Sequence, residues 1–210
     1  MRREPMADDG NAVSIKFKSL IISSLIFGFF LIPTHEFGHV AGYWITGHPA
    51  AMSYARDYML SEVEKPFLGL LGGPLLPLII SAISVGLIYM RVKVSAFYPL
   101  EILGAFDRLI LYLFGVLPSD EFDLAVKVGW NIHAFKYIFL SAEIFLLVLV
   151  LLSLGRYKVG IKRSLLVFSI PLVSFVGTAA FGVFVVERFV FPVQYKLQFG
   201  LIRIVHSILA

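Results

Sequence analysis

Cysteine is absent from this 210-residue chain. That single absence excludes structural disulfides, cysteine–zinc sites and a cysteine nucleophile. Charge is scarce: Asp, Glu, Lys and Arg make up 15% of the residues, against about 25% in an ordinary soluble domain. The chain also lacks internal repeats and low-complexity tracts. At this length it can build one compact bundle but not two independent domains. The net charge of +4 is modest, and in a chain of this kind the placement of Lys and Arg matters more than their sum.

Apolar residues are abundant, at 59%, and they gather into long runs. A run of about 18 or more reads as a membrane span. The expected fold class is therefore all-α, a polytopic membrane bundle of about five to six spans. Residues 1–18 read as a polar tail. The first apolar stretch runs from Leu20 to about Thr46, and no small-residue cleavage site follows it, so a cleaved signal peptide is not expected. A mixed loop, 47–66, leads to a second span from about Phe67 to Met90, which Gly72-Gly73-Pro74 and Pro77 are expected to interrupt. A less apolar third stretch, about 96–117, holds Glu101, Asp107 and Arg108. A short polar segment, 118–133, precedes spans at about 134–155 and 164–186, and 187–210 reads as a poorer sixth span or an interfacial helix. Residues 19–133 form the expected core and 134–210 the additional helices. Collecting the basic segments 1–18, 91–93 and 156–163 on one side places the N-terminus in the cytosol by the positive-inside rule. The 47–66 loop and the acidic 118–123 segment then fall on the other side.

Chemistry is concentrated in His35-Glu36-Phe37-Gly38-His39. On a helix, positions i and i+4 share a face. His35 and His39 can thus offer two imidazole nitrogens to one Zn²⁺, with Glu36 placed to take a proton from water at the metal. Each charge buried in a span costs at least ~2.5 kcal/mol on insertion scales, so three ionisable groups within five residues call for a reason. A catalytic zinc takes three protein ligands and keeps one position open. Candidates for the third are His48, Asp57, Glu62, Glu64, Glu101, Asp107, Asp120 and Asp123. Spacing does not choose among them, although Asp107 beside Arg108 reads as an ion pair. Glu101 and Glu143 read as hydrogen-bonding partners within the bundle, and Tyr43, Trp44 and Trp130 as interface markers.

An HExGH motif inside a membrane helix resembles the site-2 protease family of intramembrane zinc metallopeptidases. Gly72-Gly73-Pro74 is similar to the Gly-Pro element in a following span of that family. Gly115-Val116-Leu117-Pro118 followed by Asp123 is similar to the family's Asn-x-x-Pro-x-x-x-x-Asp-Gly and keeps the Pro-to-Asp spacing. The chain departs from the family at Gly115 and Leu124, which replace its Asn and Gly, and at Pro77, which stands where an Asn is common. The resemblance covers roughly residues 20–125. It implies Asp123 as third metal ligand with Asp120 in reserve, a Zn²⁺ cofactor, Glu36 as the catalytic residue and a membrane-embedded protein as substrate within the lipid bilayer. It also implies a site facing the cytosol, against the charge pattern. No nucleic-acid partner is expected. Two other functions compete: a catalytically inactive relative that binds a membrane protein, and a metal or proton transporter using His35, Glu36 and Asp107.

Overall fold

The computed structural model describes residues 15–60, 64–92, 94–106, 109, 112 and 119–190. The protein is an all-α bundle of membrane type. Helix α1 spans Phe17–Ile45, α2 Phe67–Tyr89, α3 Val94–Phe106, α4 Ser119–Val128, α5 Ile132–Arg156 and α6 Ile161–Phe181. A π-helical turn, Gly182–Val186, carries α6 into a last short helix, α7 (Glu187–Phe189). Between α1 and α2 lies a β-hairpin of β1 (Ala50–Met52) and β2 (Asp57–Met59), antiparallel, with Ala51 opposite Tyr58.

Among the described residues, four helical segments are long and apolar enough to cross a membrane by length and composition: Phe17–Ile45, Phe67–Tyr89, His133–Arg156 and Ile161–Phe189. Large apolar side chains such as Ile21, Leu25, Ile83, Phe145, Leu152 and Val173 face outward from them, as lipid-facing positions should. The third expected span is described without a break only to Phe106, with Leu109 and Tyr112 helical beyond it, and the expected sixth segment lies, from residue 191 onward, outside the described residues.

Two apolar clusters show how the helices run. One joins the start of α1, the end of α2, the start of α3 and the turn from α5 to α6, through Leu20, Ile88, Val94, Tyr98, Leu154 and Tyr157. The other gathers Leu70 of α2, Leu124 of α4 and Phe135 and Phe139 of α5. The bundle therefore has two distinct ends. The HExGH segment lies at the second end, beside the hairpin.

The second span is one continuous helix, which corrects the expected interruption. Pro74 and Pro77 sit inside it. The glycines beside them have a different use. A Cβ on Gly38 of α1 would land on the Gly72 carbonyl, and one on Gly42 would land on the Leu68 carbonyl. Small residues four apart on α1 thus let the α1 and α2 backbones touch.

Candidate metal centre

Close backbone contact brings His39 against α2. The ring is nearly buried, at 3% exposure, and a Cβ on Gly73 would collide with it. Tyr43, one turn further along α1, lies near-parallel to it at 6.5 Å between centroids. His39 Nδ1 is 2.7 Å from the Gly69 carbonyl. A carbonyl only accepts, so Nδ1 carries the proton and donates. The tautomer of the neutral ring is thereby set, and the Nε2 lone pair points into the bundle. Outer-sphere hydrogen bonds of this type orient metal-binding histidines.

His35 stands one turn earlier, edge-on to His39 with centroids 4.8 Å apart. Its Nε2 is 3.2 Å from His39 Nε2. The third corner comes from the first turn of α4, where Asp120 Oδ2 lies 3.2 Å from His35 Nε2 and 3.5 Å from His39 Nε2. Among the described residues, this is the group whose ligand atoms converge for a metal, all within 4.8 Å of one another. The donor chemistry fits zinc. Tetrahedral bonds of about 2.0 Å hold neighbouring ligand atoms about 3.3 Å apart, and the three edges bracket that length. Two imidazoles and a carboxylate also leave a fourth position for water or substrate.

Asp120 rather than Asp123 meets the histidines, which corrects the expected third ligand. The reason is helical phase. The stripe of α4 that faces the bundle runs through Asp120, Glu121, Leu124 and Ala125, and Glu121 and Leu124 are fully buried. Asp123 lies beside that stripe, half-buried. Pro118 and the rest of 113–118, on which the family spacing was counted, lie outside the described residues.

Of the other candidates, His48, Glu64 and Asp57 are engaged elsewhere. His48 Nδ1 sits 3.2 Å from Thr46 Oγ1, and Lys127 Nζ is 2.7 Å from Glu64. Glu62 and Asp107 lie outside the described residues. Asp57, at the start of β2, accepts a hydrogen bond from the Tyr43 hydroxyl at 2.9 Å, and Lys65 Nζ lies 3.7 Å away. Tyr43 is consequently fully buried and no interface marker, whereas Trp44 and Trp130 are exposed, at 51% and 57%. Glu101 is fully buried too, and among the described residues neither of its carboxylate oxygens has a hydrogen-bond partner. Glu36 lies half-buried on α1, next to His35 in the chain.

Around this centre several side chains fasten the hairpin, among them the Trp44 indole N–H, which donates to the Ala50 carbonyl at 3.1 Å. Pro33 offers no N–H to the Phe29 carbonyl, and the Tyr54 hydroxyl donates to that carbonyl at 2.8 Å. Burial pushes the Tyr54 phenol up to about 12, so it remains a donor at neutral pH. Glu187 of α7 accepts from Ser53 Oγ at 2.8 Å and from the Ala55 N–H at 3.3 Å. The Tyr43–Asp57 bond is another. The Gly38-x-x-x-Gly42 spacing was a visible signal of close packing; the hairpin latches had no local sequence signal. Set against protein-family models, curated proteins and solved structures, the chain finds no match.

Proposed function

We propose that this protein is an intramembrane zinc endopeptidase, in which His35, His39 and Asp120 hold the metal and Glu36 is the catalytic residue. The observation that carries the proposal is the triangle of Nε2, Nε2 and Oδ2 at zinc spacing, next to a carboxylate, on a helix apolar enough to cross a membrane. A likeness to the site-2 protease family follows from the same residues, with Asp120 in the role of third ligand.

Zinc held there would lower the pKa of water and polarise a scissile carbonyl. Glu36 takes the proton from the attacking water as the new C–O bond forms. It returns that proton to the amide nitrogen as the C–N bond breaks, so protons balance over the cycle. A substrate helix hides its carbonyls in its own hydrogen bonds and must unwind to be cut. The hairpin offers strand edges beside the site, which can hold an unwound segment by strand addition.

The test uses purified full-length chain in proteoliposomes with a transmembrane reporter. Glu36→Gln should keep about one zinc per chain and lose cleavage by at least about 100-fold. Cleavage by that variant at the wild-type rate would overturn the proposal. Retained zinc without cleavage in the wild type would favour a binding protein, and ion flux without cleavage a transporter.

A further inference from the structure

A cavity of about 190 Å³ lies between α1, the hairpin and the π-helical turn. Phe29, Phe30 and Pro33 line it from α1, Met52, Ser53 and Tyr54 line it from the hairpin, and Val186 of the π-helical turn completes the lining. Helical phase fixes where it stands. Phe29, Pro33 and Glu36 are spaced i, i+4, i+7 and form one stripe of α1. Val40, four residues on, continues that stripe and packs with Ala50 and Met52 of the hairpin. The hairpin therefore lies along the stripe, and Met52 belongs both to its packed part and to the cavity wall. Glu36 stands between the two, about 4.5 Å of helical rise past Pro33.

The walls say what the cavity takes. Both polar side chains among them are already engaged. Ser53 Oγ donates to Glu187 and the Tyr54 hydroxyl to the Phe29 carbonyl, each at 2.8 Å. A polar guest would lose its water and gain no partner there. The remaining lining is apolar and partly aromatic. The Phe29 ring lies 5.2 Å from the Phe30 ring and 5.2 Å from the Tyr54 ring, between centroids, the range in which aromatic rings attract. The Met52 thioether adds a polarisable surface that favours a ring as well. The volume suits one such group, since an apolar cavity of about 150 Å³ holds benzene. The walls are also braced. A Cβ on Gly182 would land on the Tyr54 ring, so the π-helical turn that begins at this glycine packs directly on the hairpin. Turns of this type recur at functional sites.

The geometry points to this cavity as the pocket for an aromatic side chain of the substrate, on the residue adjoining the scissile bond. The inference rests on the protease proposal, which puts that bond at Glu36 and the metal. A strand held along the hairpin sends alternate side chains to opposite faces, and the cavity lies on the face of α1 that the hairpin covers. Phe29 and Pro33 are nearer the middle of α1 than Glu36 is. The selected residue is therefore the one on the bilayer-centre side of the cut. Seating its ring supplies binding energy that offsets the local unwinding of the substrate helix.

Purified full-length protein in proteoliposomes, given transmembrane reporters that differ only at that residue, tests it, with mass spectrometry of the products locating the cut. The Phe reporter should be cleaved at least about 10-fold faster than the Ala reporter in kcat/KM. Val186→Phe puts a ring into the cavity and should bring that ratio to within about 3-fold. Photo-leucine scanned along the reporter gives a readout that needs no cleavage. On illumination one position should label Met52, Tyr54 or Val186, in the wild type and in Glu36→Gln alike. Equal cleavage of the Phe and Ala reporters by the wild type would overturn the inference and leave the protease proposal standing. So would label confined to other residues, or an unchanged ratio in Val186→Phe. Label at the cavity residues with no cleavage of any reporter would keep the pocket as a site for a membrane helix's side chain and overturn the protease proposal instead.

Discussion

The two ends of the bundle terminate their helices by the same backbone device and fill it with opposite residues. At the metal end, α1 and α4 close on Gly47 and Gly129, with φ 79° and 66°. At the opposite, basic end, where Lys16, Lys162 and Arg163 are exposed, α2 and α5 close on Arg91 and Lys158. All four show the paired turn bonds of the same motif, such as His48 N–H to Tyr43 O and Trp130 N–H to Ala125 O at the metal end. A non-glycine residue in this conformation costs about 1 kcal/mol. The metal end avoids that cost. There the glycines extend into the helices, where they let backbones meet around His39. The basic end accepts it and fills its surface with cations braced on aromatic rings, Arg91 over Tyr157 and Arg156 over Tyr89. One end is built for close approach and the other for charge.

The largest expected effect lies at the metal end. Losing an outer-sphere partner typically weakens metal binding 10–100-fold, so losing a ligand should exceed that. Asp120→Asn should weaken zinc binding by more than about 100-fold, measured by competition with a chelator, while Asp123→Asn leaves it within about 3-fold. Equal effects of the two would mean that the carboxylates exchange roles.

The contrast in glycine use predicts opposite signs for one substitution. Gly38→Ala drives a methyl into the Gly72 carbonyl, and overpacking of this kind costs about 1–3 kcal/mol. Gly86 and Gly155, towards the basic end, meet nothing within 4 Å. Gly86→Ala should therefore be neutral or stabilise by up to about 1 kcal/mol, through helix propensity alone. Thermal melts of the two variants in one detergent check this. Destabilisation by both would show that α2 needs its glycines for flexibility rather than for approach.

Much of the architecture was legible in the sequence because span length and apolar runs are local. The ends of α1, α2 and α5 fall within a few residues of the expected bounds. The histidine pair was legible for the same reason, since i and i+4 share a face whatever surrounds them. Asp120 was not, because choosing it over Asp123 requires the phase of α4 about its axis, which tertiary packing sets. Tyr43 was misread for a related reason. An aromatic near a span end is commonly interfacial, but Asp57 reaches back from the hairpin to take its hydroxyl. Pro74 and Pro77 read as breaks because proline removes a helical donor, yet α2 continues through both.

The smallest effect gives the most direct comparison, since the same change can be made at both ends. Tyr54 and Tyr157 each donate a hydroxyl to a backbone carbonyl, at 2.8 Å to Phe29 and 2.6 Å to Ile88. The Ile88 carbonyl also accepts from the Arg91 N–H at 3.0 Å, so Tyr157→Phe leaves it satisfied. The Phe29 carbonyl lost its helical partner to Pro33, and Tyr54→Phe strips it of the substitute. An unsatisfied buried acceptor costs about 1–3 kcal/mol. Tyr54→Phe should therefore destabilise by about 1 kcal/mol more than Tyr157→Phe. The loss should be local: amide exchange should quicken over β1 and β2 and stay unchanged at the basic end, because the hairpin keeps its Trp44, Asp57 and Glu187 anchors but loses the one at Tyr54. Equal costs at the two tyrosines would mean that the Phe29 carbonyl finds water, and that the cavity of about 190 Å³ lined by Phe29, Pro33, Ser53 and Tyr54 is wet.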